Sequence, residues 1–241
     1  MDFPFSYTLQ PATFVKRPNR FLAHLRKDGE IIKAHVPDPG RLKELLVPGV
    51  EVMVRYNPGP TRKTDWTLTL VKKDHVWVCI NTTIPNAFVG ELLSNGKLSE
   101  FQTYPEVKAE ATHESSRFDF YLKNHQNEYW LEVKSVSLVQ NGIGLFPDAP
   151  TTRGTRHLNH LMRLKNTGAD AGVLFMVQRQ DAELFAPNWI TDPEFSATLK
   201  KVYSAGVEIV VYTTKVSPEG ITLGRKLDFD LETEYPLPEM H

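Results

Sequence analysis

Two hydrophobic rhythms divide the chain. Over the first 85 residues, short apolar stretches alternate with polar positions: "ATFVKRP", "RFLAHLR", "EIIKAHV", "VEVMVRY", "WTLTLVKK" and "HVWVCIN". Each fits a short strand, and the turn signals "RPN", "KDGE", "PDPG", "VPG", "NPGP" and "KKD" separate them. "GRLKELL" has room for one helical turn. Strands this short and this closely spaced predict a small barrel, a five-stranded OB-type barrel with one extra strand. After "NTTIPN" the pattern changes. "NAFVGELLSNG" carries Val89, Leu92 and Leu93 at helical spacing, with Asn86 as its N-cap and Gly96 as its stop. Strands are predicted over about 103–110, 116–122 and 129–138. "TTRGTRHLNHLMRLKNTG" predicts an amphipathic helix with Leu158, Leu161 and Met162 inward. "AGVLFMVQ" and "VEIVVYTT" read as buried strands. Between them "DPEFSATLKKVYSAG" predicts a helix capped by Asp192, with Pro193 in its first turn. Alternating strands and helices imply a sheet covered by helices. The tail "LDFDLETEYPLPEMH" is acidic and is expected to be peripheral.

The stretch "SRFDFYLKNHQNEYWLEVKSVSL" (116–138) holds the candidate chemistry. Phe118, Phe120 and Leu122 alternate with Arg117, Asp119 and Tyr121; Leu131 and Val133 alternate with Glu132 and Lys134. A turn centred between His125 and Gln126 pairs Phe118 with Val133 and Phe120 with Leu131 on one apolar face. The opposite face then sets Asp119 across from Glu132, Arg117 across from Lys134 and Tyr121 across from Trp130. Facing carboxylates repel and raise each other's pKa, and a divalent cation relieves this best. Two carboxylates with water and phosphate oxygens suit Mg²⁺, and a lysine beside them suits phosphodiester chemistry. The same E-x-K spacing also suits a solvated salt-bridge ladder.

Charge sharpens the division. Residues 1–85 hold 13 Lys+Arg against 8 Asp+Glu, and residues 86–241 hold 15 against 21. A basic front and an acidic back suggest two modules with different tasks. At 241 residues and 41% hydrophobic content, both can bury a core. No basic segment followed by an apolar run opens the chain, and the longest apolar run, "AGVLFMV", is too short for a bilayer. Cys79 is the single cysteine and forms no internal disulfide. A cytoplasmic protein without membrane attachment is expected. No G-x-x-x-x-G-K-[ST] loop or small-molecule cofactor fingerprint appears, so a sugar-pathway enzyme has no support. The barrel half contains no helix-turn-helix.

"SRFDF", "LEVKSVSL" and "FPDAPTTRGTRHLNHL" resemble the signature stretches of the sugar fermentation stimulation protein A family. "RPNRFLA", "HVPDPGRL" and "VCINT" resemble its N-terminal blocks and "GVEIVVY" its C-terminal one. The resemblance implies an OB-like barrel over 1–85, followed by an α/β domain over 86–241 resembling the PD-(D/E)xK nucleases. It also implies DNA binding without sequence specificity and a link to maltose metabolism. Carried onto this sequence, Asp119 takes the motif's Asp, with Phe118 where the motif has Pro, and Glu132 and Lys134 take (D/E)xK. Glu110 is placed as an additional acid, with Glu106 and Glu91 competing for that role. The implied site is Asp119, Glu132 and Lys134 as catalytic residues, with Asp119, Glu132 and Glu110 holding Mg²⁺ or Mn²⁺.

For DNA, the helix from about 153 offers Arg153 and His157, and a polar stripe of Arg156, His160 and Arg163 opposite the leucines. Hard oxygen ligands suit the metal better than His157 or His160. In the barrel, Lys16, Arg17, Arg20, Arg41, Arg55, Arg62 and Lys63 are interleaved with Phe14, Phe21, Tyr56 and Trp66. This is the composition of a basic groove with stacking platforms, although Phe14 and Phe21 also suit barrel core. Arg17, Arg20, Arg41, Arg62, Lys63, Arg153 and Arg156 are the expected DNA contacts. Two classes of function remain: a low-specificity DNA-binding protein that does not cut, and an Mg²⁺-dependent endonuclease.

Overall fold

The computed structural model describes residues 2–237. A first strand, β1 (Asp2–Pro4), precedes six more: β2 (Leu9–Asn19), β3 (Leu22–Lys27), β4 (Glu30–His35), β5 (Glu51–Tyr56), β6 (Trp66–Lys73) and β7 (Val76–Cys79). β2 to β7 form one sheet in the order β4-β3-β2-β5-β6-β7. A parallel pairing of β4 with β6, Ala34 opposite Trp66, closes five of these strands into a barrel, with β7 as the additional strand. The alternation read in the sequence produces this closure: Ala23, Leu25, Ala34, Val52, Val54 and Leu68 point inward and are fully buried. "GRLKELL" makes its single turn, with Leu46 N–H donating to Leu42 O at 2.9 Å.

The chain continues with α1 (Thr83–Ser94), β8 (Glu106–His113), β9 (Ser116–Lys123), β10 (Glu128–Val136), β11 (Val139–Gln140), β12 (Ile143–Phe146), α2 (Thr152–Asn166), β13 (Asp170–Val177), β14 (Leu184–Pro187), α3 (Pro193–Ser204), β15 (Glu208–Ser217), β16 (Gly220–Lys226) and β17 (Asp228–Phe229). A seven-stranded sheet runs β1-β16-β15-β13-β10-β9-β8, parallel across β10, β13 and β15. β13 and β15 read as continuous apolar runs because both of their faces are covered. α2 and α3 pack over one face and α1 over the other. Leu158 and Leu161 of α2 are fully buried and Leu164 nearly so, each worth about 2 kcal/mol of burial. Thr151 caps α2, its Oγ1 accepting from Gly154 N–H at 3.1 Å, and Asp192 caps α3 by accepting from Phe195 N–H at 2.9 Å. Among the described residues no helix is long and apolar enough to cross a membrane.

Three details differ from the sequence expectation. α1 starts at Thr83, so Asn86 lies inside the helix and not at its cap. Asn81 Oδ1 accepts from Thr83 N–H at 3.2 Å, and Pro85 sits in the first turn, where its missing N–H costs nothing. The tail is not peripheral as far as it is described: Leu227 and Leu231 are buried, and β17 joins a small sheet with β11, β12 and β14. Finally, β1 pairs with β16 and so belongs to the seven-stranded sheet, not to the barrel.

The loop 36–42 makes one junction between the barrel and the rest of the molecule, at Asp148, and β7 makes another, Cys79 N–H donating to Gln178 O at 3.3 Å. Asp148 Oδ2 accepts from Leu42 N–H at 2.7 Å, and Asp38 Oδ1 accepts from Gly40 N–H at 2.7 Å. Gly40 is required by space: a Cβ there would lie 2.8 Å from Asp38 Oδ1 and 2.9 Å from Asp148 Oδ2. Burial, with Asp148 adding to it, pushes the Asp38 carboxyl up to about 6 and the Glu44 carboxyl up to about 7. Between pH 4.5 and 7 the folded chain keeps a Glu44 proton that the unfolded chain releases. Stability is therefore expected to fall as pH rises through this window, by up to about 1.4 kcal/mol per pH unit from this group. Glu44→Gln should flatten that slope in urea unfolding at pH 5 and pH 7; an unchanged slope would count against the assignment.

Candidate functional site

β9 and β10 pair as the alternation predicts, Glu128 opposite Lys123 and Leu131 opposite Phe120. Asn124 closes the hairpin, its Oδ1 accepting from Gln126 N–H at 2.9 Å and Asn127 N–H at 2.8 Å. The ladder stops at Leu131–Phe120. One residue further, Asp119 Oδ2 accepts from Val133 N–H at 2.8 Å, so a carboxylate replaces the strand partner. At the same level Glu110 of β8 takes a left-handed φ of 53°. The distortion turns the strand. Phe118 packs with Trp130 and Leu158 under α2, whereas Phe120 packs with Phe88 and Leu131 under α1. The expected single apolar face is thus split between two cores. Nor is the opposite face open, because α2 covers Glu132 and Trp130.

The carboxylates of Asp119 and Glu132 approach each other in this gap. Asn86 Nδ2 donates to Asp119 Oδ1 at 2.6 Å. Glu132 is 4% exposed; its Oε1 accepts from Lys134 Nζ and, at 2.7 Å, from His157 Nδ1–H. Its Oε2 is buried without a partner. Burial, then the charge of Glu132, raises the Asp119 pKa, against the pull of Val133 N–H, Lys134 and Asn86. Burial alone would raise Glu132 too, but Lys134 and His157 outweigh it and hold Glu132 below its ordinary range. The donor set fits a hard divalent cation: an orphaned carboxylate oxygen, a second carboxylate with lone pairs to spare, and a repulsion that positive charge would relieve.

Asp119, Glu132 and Lys134 therefore converge as predicted, in a recessed position and not an exposed one. Glu110 faces outward and its carboxylate pairs with Arg117 at 3.5 Å. Of its competitors, Glu91 contacts Asn95 and Glu106 is exposed at the start of β8. Two contributors escape the sequence reading. Asn86 precedes an apolar helical run, which is a cap signal and hides its role at Asp119. His157 groups by spacing with polar helix residues, although its place one residue before Leu158 puts it on the covered side.

Arg153 and Arg156 are exposed on the first two turns of α2, and Arg163 lies further along it. His160 leaves the proposed stripe: it is 1% exposed. On the barrel Arg20, Arg41 and Lys63 are exposed. Arg62 is exposed as well, with Nη2 donating to Thr67 Oγ1 at 2.8 Å. Arg17 does not present its charge to a ligand. Its guanidinium donates to Gly40 O at 2.9 Å, Arg41 O at 2.7 Å, Arg20 O at 2.6 Å and Asp38 O at 2.9 Å, bundling the 36–42 loop. Phe14 is barrel core, but Phe21 and Tyr56 are 55% and 52% exposed, and Trp66 stands 4.9 Å from Tyr56. A cleft of about 200 Å³ separates Arg20 and Gly40 of the barrel from Ser135, Ser137, Phe146 and Thr151.

Residues 15–80 match the family described as "SfsA N-terminal OB domain", and residues 83–220 match "Sugar fermentation stimulation protein RE domain". A sugar fermentation stimulation protein homolog of Acetivibrio thermocellus is 48% identical, covering 88% of this chain and 91% of that one. Homologs of the same name from Clostridium botulinum and Methanobrevibacter smithii are 45% and 42% identical, each covering 90% of this chain and 95% and 96% of theirs. Among solved structures, one described as "The structure of Pyrococcus Furiosus SfsA in complex with Ca2+" superposes with a TM-score of 0.86 at 26% identity. It covers 95% of this chain and 99% of that one.

Proposed function

The chain belongs to the sugar fermentation stimulation protein family, and from that premise we propose that it binds DNA with little base preference and hydrolyses phosphodiester bonds at Asp119, Glu132 and Lys134. On this reading the seven-stranded unit is a restriction-endonuclease-like domain and the barrel is its DNA-binding partner. The observation that carries the proposal is the buried, unpartnered Oε2 of Glu132 beside Asp119. An orphaned carboxylate oxygen next to a second carboxylate costs stability unless a cation uses it. The Pyrococcus structure, of the same fold, is described in complex with Ca²⁺, itself a hard divalent ion.

Asp119 and Glu132 would hold Mg²⁺ or Mn²⁺, which when bound supplies Lewis-acid polarisation of a phosphate oxygen. Asn86 and Val133 N–H aim Asp119. His157 and Lys134 fix the rotamer of Glu132, leaving Oε2 as the free ligand atom. Lys134, with two further N–H donors, is positioned to order the attacking water or to offset charge building on the phosphate. Exposed Arg153 and Arg156 of α2, and exposed Arg20, Arg41, Arg62 and Lys63 of the barrel, would neutralise backbone phosphates without reading bases. Phe21, Tyr56 and Trp66 are available for stacking against unpaired bases.

The test incubates plasmid and linear DNA with pure protein in Mg²⁺, Mn²⁺ or EDTA. Nicking that needs the metal supports hydrolysis. A second reading, binding without cleavage, is favoured by the ion pair between Lys134 and Glu132, which ties the lysine to a carboxylate oxygen. Salt-sensitive gel retardation without nicking would establish it, and no retardation of any DNA at low salt would remove both.

A further inference from the structure

A second cluster lies at the far end of the β8–β9 hairpin, where its tip meets α2. His113 ends β8, Glu114 forms the turn, Ser116 begins β9 and His160 projects from α2. His113 Nδ1 stands 3.0 Å from His160 Nε2, and Glu114 Oε2 stands 3.5 Å from the same nitrogen. One ligand atom from each of the three residues lies within 4.8 Å of the others. We propose that His113, Glu114 and His160 form a binding site for a divalent transition-metal ion of the zinc class, with water in the fourth position, separate from the carboxylate site.

The spacing carries the proposal. A tetrahedral zinc ion with ligands at about 2.0–2.1 Å separates neighbouring ligand atoms by about 3.3 Å. Two edges of the cluster, 3.0 and 3.5 Å, straddle that value. An independent feature is the outer partner of His160. Its Nδ1 lies 2.8 Å from the Oγ of buried Ser116. With the Nδ1–H donated to Ser116, Nε2 carries the lone pair, and Nε2 is the atom directed at His113. Metal-bound histidines are usually held in this way, with the ring nitrogen remote from the metal donating to a fixed acceptor. Glu114 reaches the pair because the turn places it in the left-handed region, φ 48°. Two borderline imidazoles with one carboxylate make a donor set that favours zinc-class ions over Mg²⁺. The competing partner is Arg163, whose Nη2 lies 3.4 Å from Glu114 Oε2. Its side chain is 58% exposed and can leave without disturbing the core.

The ion would tie the hairpin tip to α2, one turn from His157, which holds Glu132. The site would therefore clamp the helix that shapes the carboxylate centre without touching that centre. The other arrangement compatible with the distances is a plain N–H···N hydrogen bond between the two rings. The two are separated by calorimetric titration of the full chain carrying Asp119→Asn, in excess Mg²⁺ so that hard sites do not contribute. One Zn²⁺ per chain is expected, with affinity reduced at least tenfold in His113→Gln and in Glu114→Gln. Both positions lie at the hairpin tip, so folding is retained and circular dichroism checks it. Co²⁺ in place of Zn²⁺ should give the visible bands of four-coordinate geometry, absent from His113→Gln. At Zn²⁺ about 100-fold above Kd the melting temperature should rise by about 5–10 °C, and not in His113→Gln. Folded protein that takes up no Zn²⁺, or binding unchanged in both variants, overturns the proposal.

Discussion

Asp119→Asn is expected to lower Mg²⁺-dependent cleavage of plasmid DNA by about 10³-fold while leaving the fold and DNA retardation intact. The substitution removes one formal charge and almost no volume. The oxygen of the new side-chain amide can still accept from Val133 N–H, and Asn86 can rotate its own amide to offer an oxygen, so both hydrogen bonds at this position have a replacement. Stability should not fall. Burial and Glu132 already disfavour the ionised form of Asp119, and the neutral amide escapes both penalties. Only the cation loses: one anionic ligand remains, already shared with Lys134 and His157. Binding in EDTA should be unchanged or slightly tighter, because a negative charge has left the path of the phosphates. Cleavage at the native rate by Asp119→Asn would show that the hydrolytic centre lies elsewhere.

Arg17→Ala is expected to cost about 3 kcal/mol of folding stability, lowering the melting temperature by about 10 °C. The guanidinium serves four carbonyls on two stretches of chain. Once it is gone, two part-buried and two exposed acceptors lose their donor and the loop 36–42 loses its tie to β2. Arg17→Lys should recover little, since one ammonium cannot span acceptors that the planar fork reaches together. Arg20→Ala and Arg41→Ala should behave in the opposite way. Their side chains are exposed, so stability should stay within about 0.5 kcal/mol, and each should reduce the salt dependence of DNA binding by about one phosphate contact. Urea unfolding and salt-titrated fluorescence anisotropy of labelled DNA measure the two effects on the same proteins. A stable Arg17→Ala with weakened DNA binding would return Arg17 to the binding surface.

The difference between Arg17 and Arg20 shows where sequence reasoning ends. Three residues apart and alike in charge, they differ only in what the chain folds back over them, and that depends on contacts 21 to 24 positions away. By contrast, the barrel is legible because alternation and turn residues are local signals, and strand closure follows once the inward positions are set. The convergence of Asp119, Glu132 and Lys134 is legible for the same reason: hairpin register places them. The rotation of the strand at Asp119 is not, because it comes from a side chain entering a backbone ladder, which no periodicity records. Polar groupings drawn from helical spacing alone are too broad: the stripe of Arg156, His160 and Arg163 misplaces His160, and the Arg153–His157 pair misplaces His157. Helix α2 is covered well beyond its leucines, and only the sheet beneath it reveals how far.

The pairing of Asp2–Pro4 with β16 means that the seven-stranded unit is discontinuous in sequence, with the barrel inserted between its first strand and its remainder. The chain must pass through the outer edge of one unit before it builds the other, then return. A fragment beginning at residue 83 would therefore lack one border of its own sheet and present the backbone of residues 220–222 as an open template for other chains. Excising the barrel cleanly requires a graft that rejoins both ends, not a single cut.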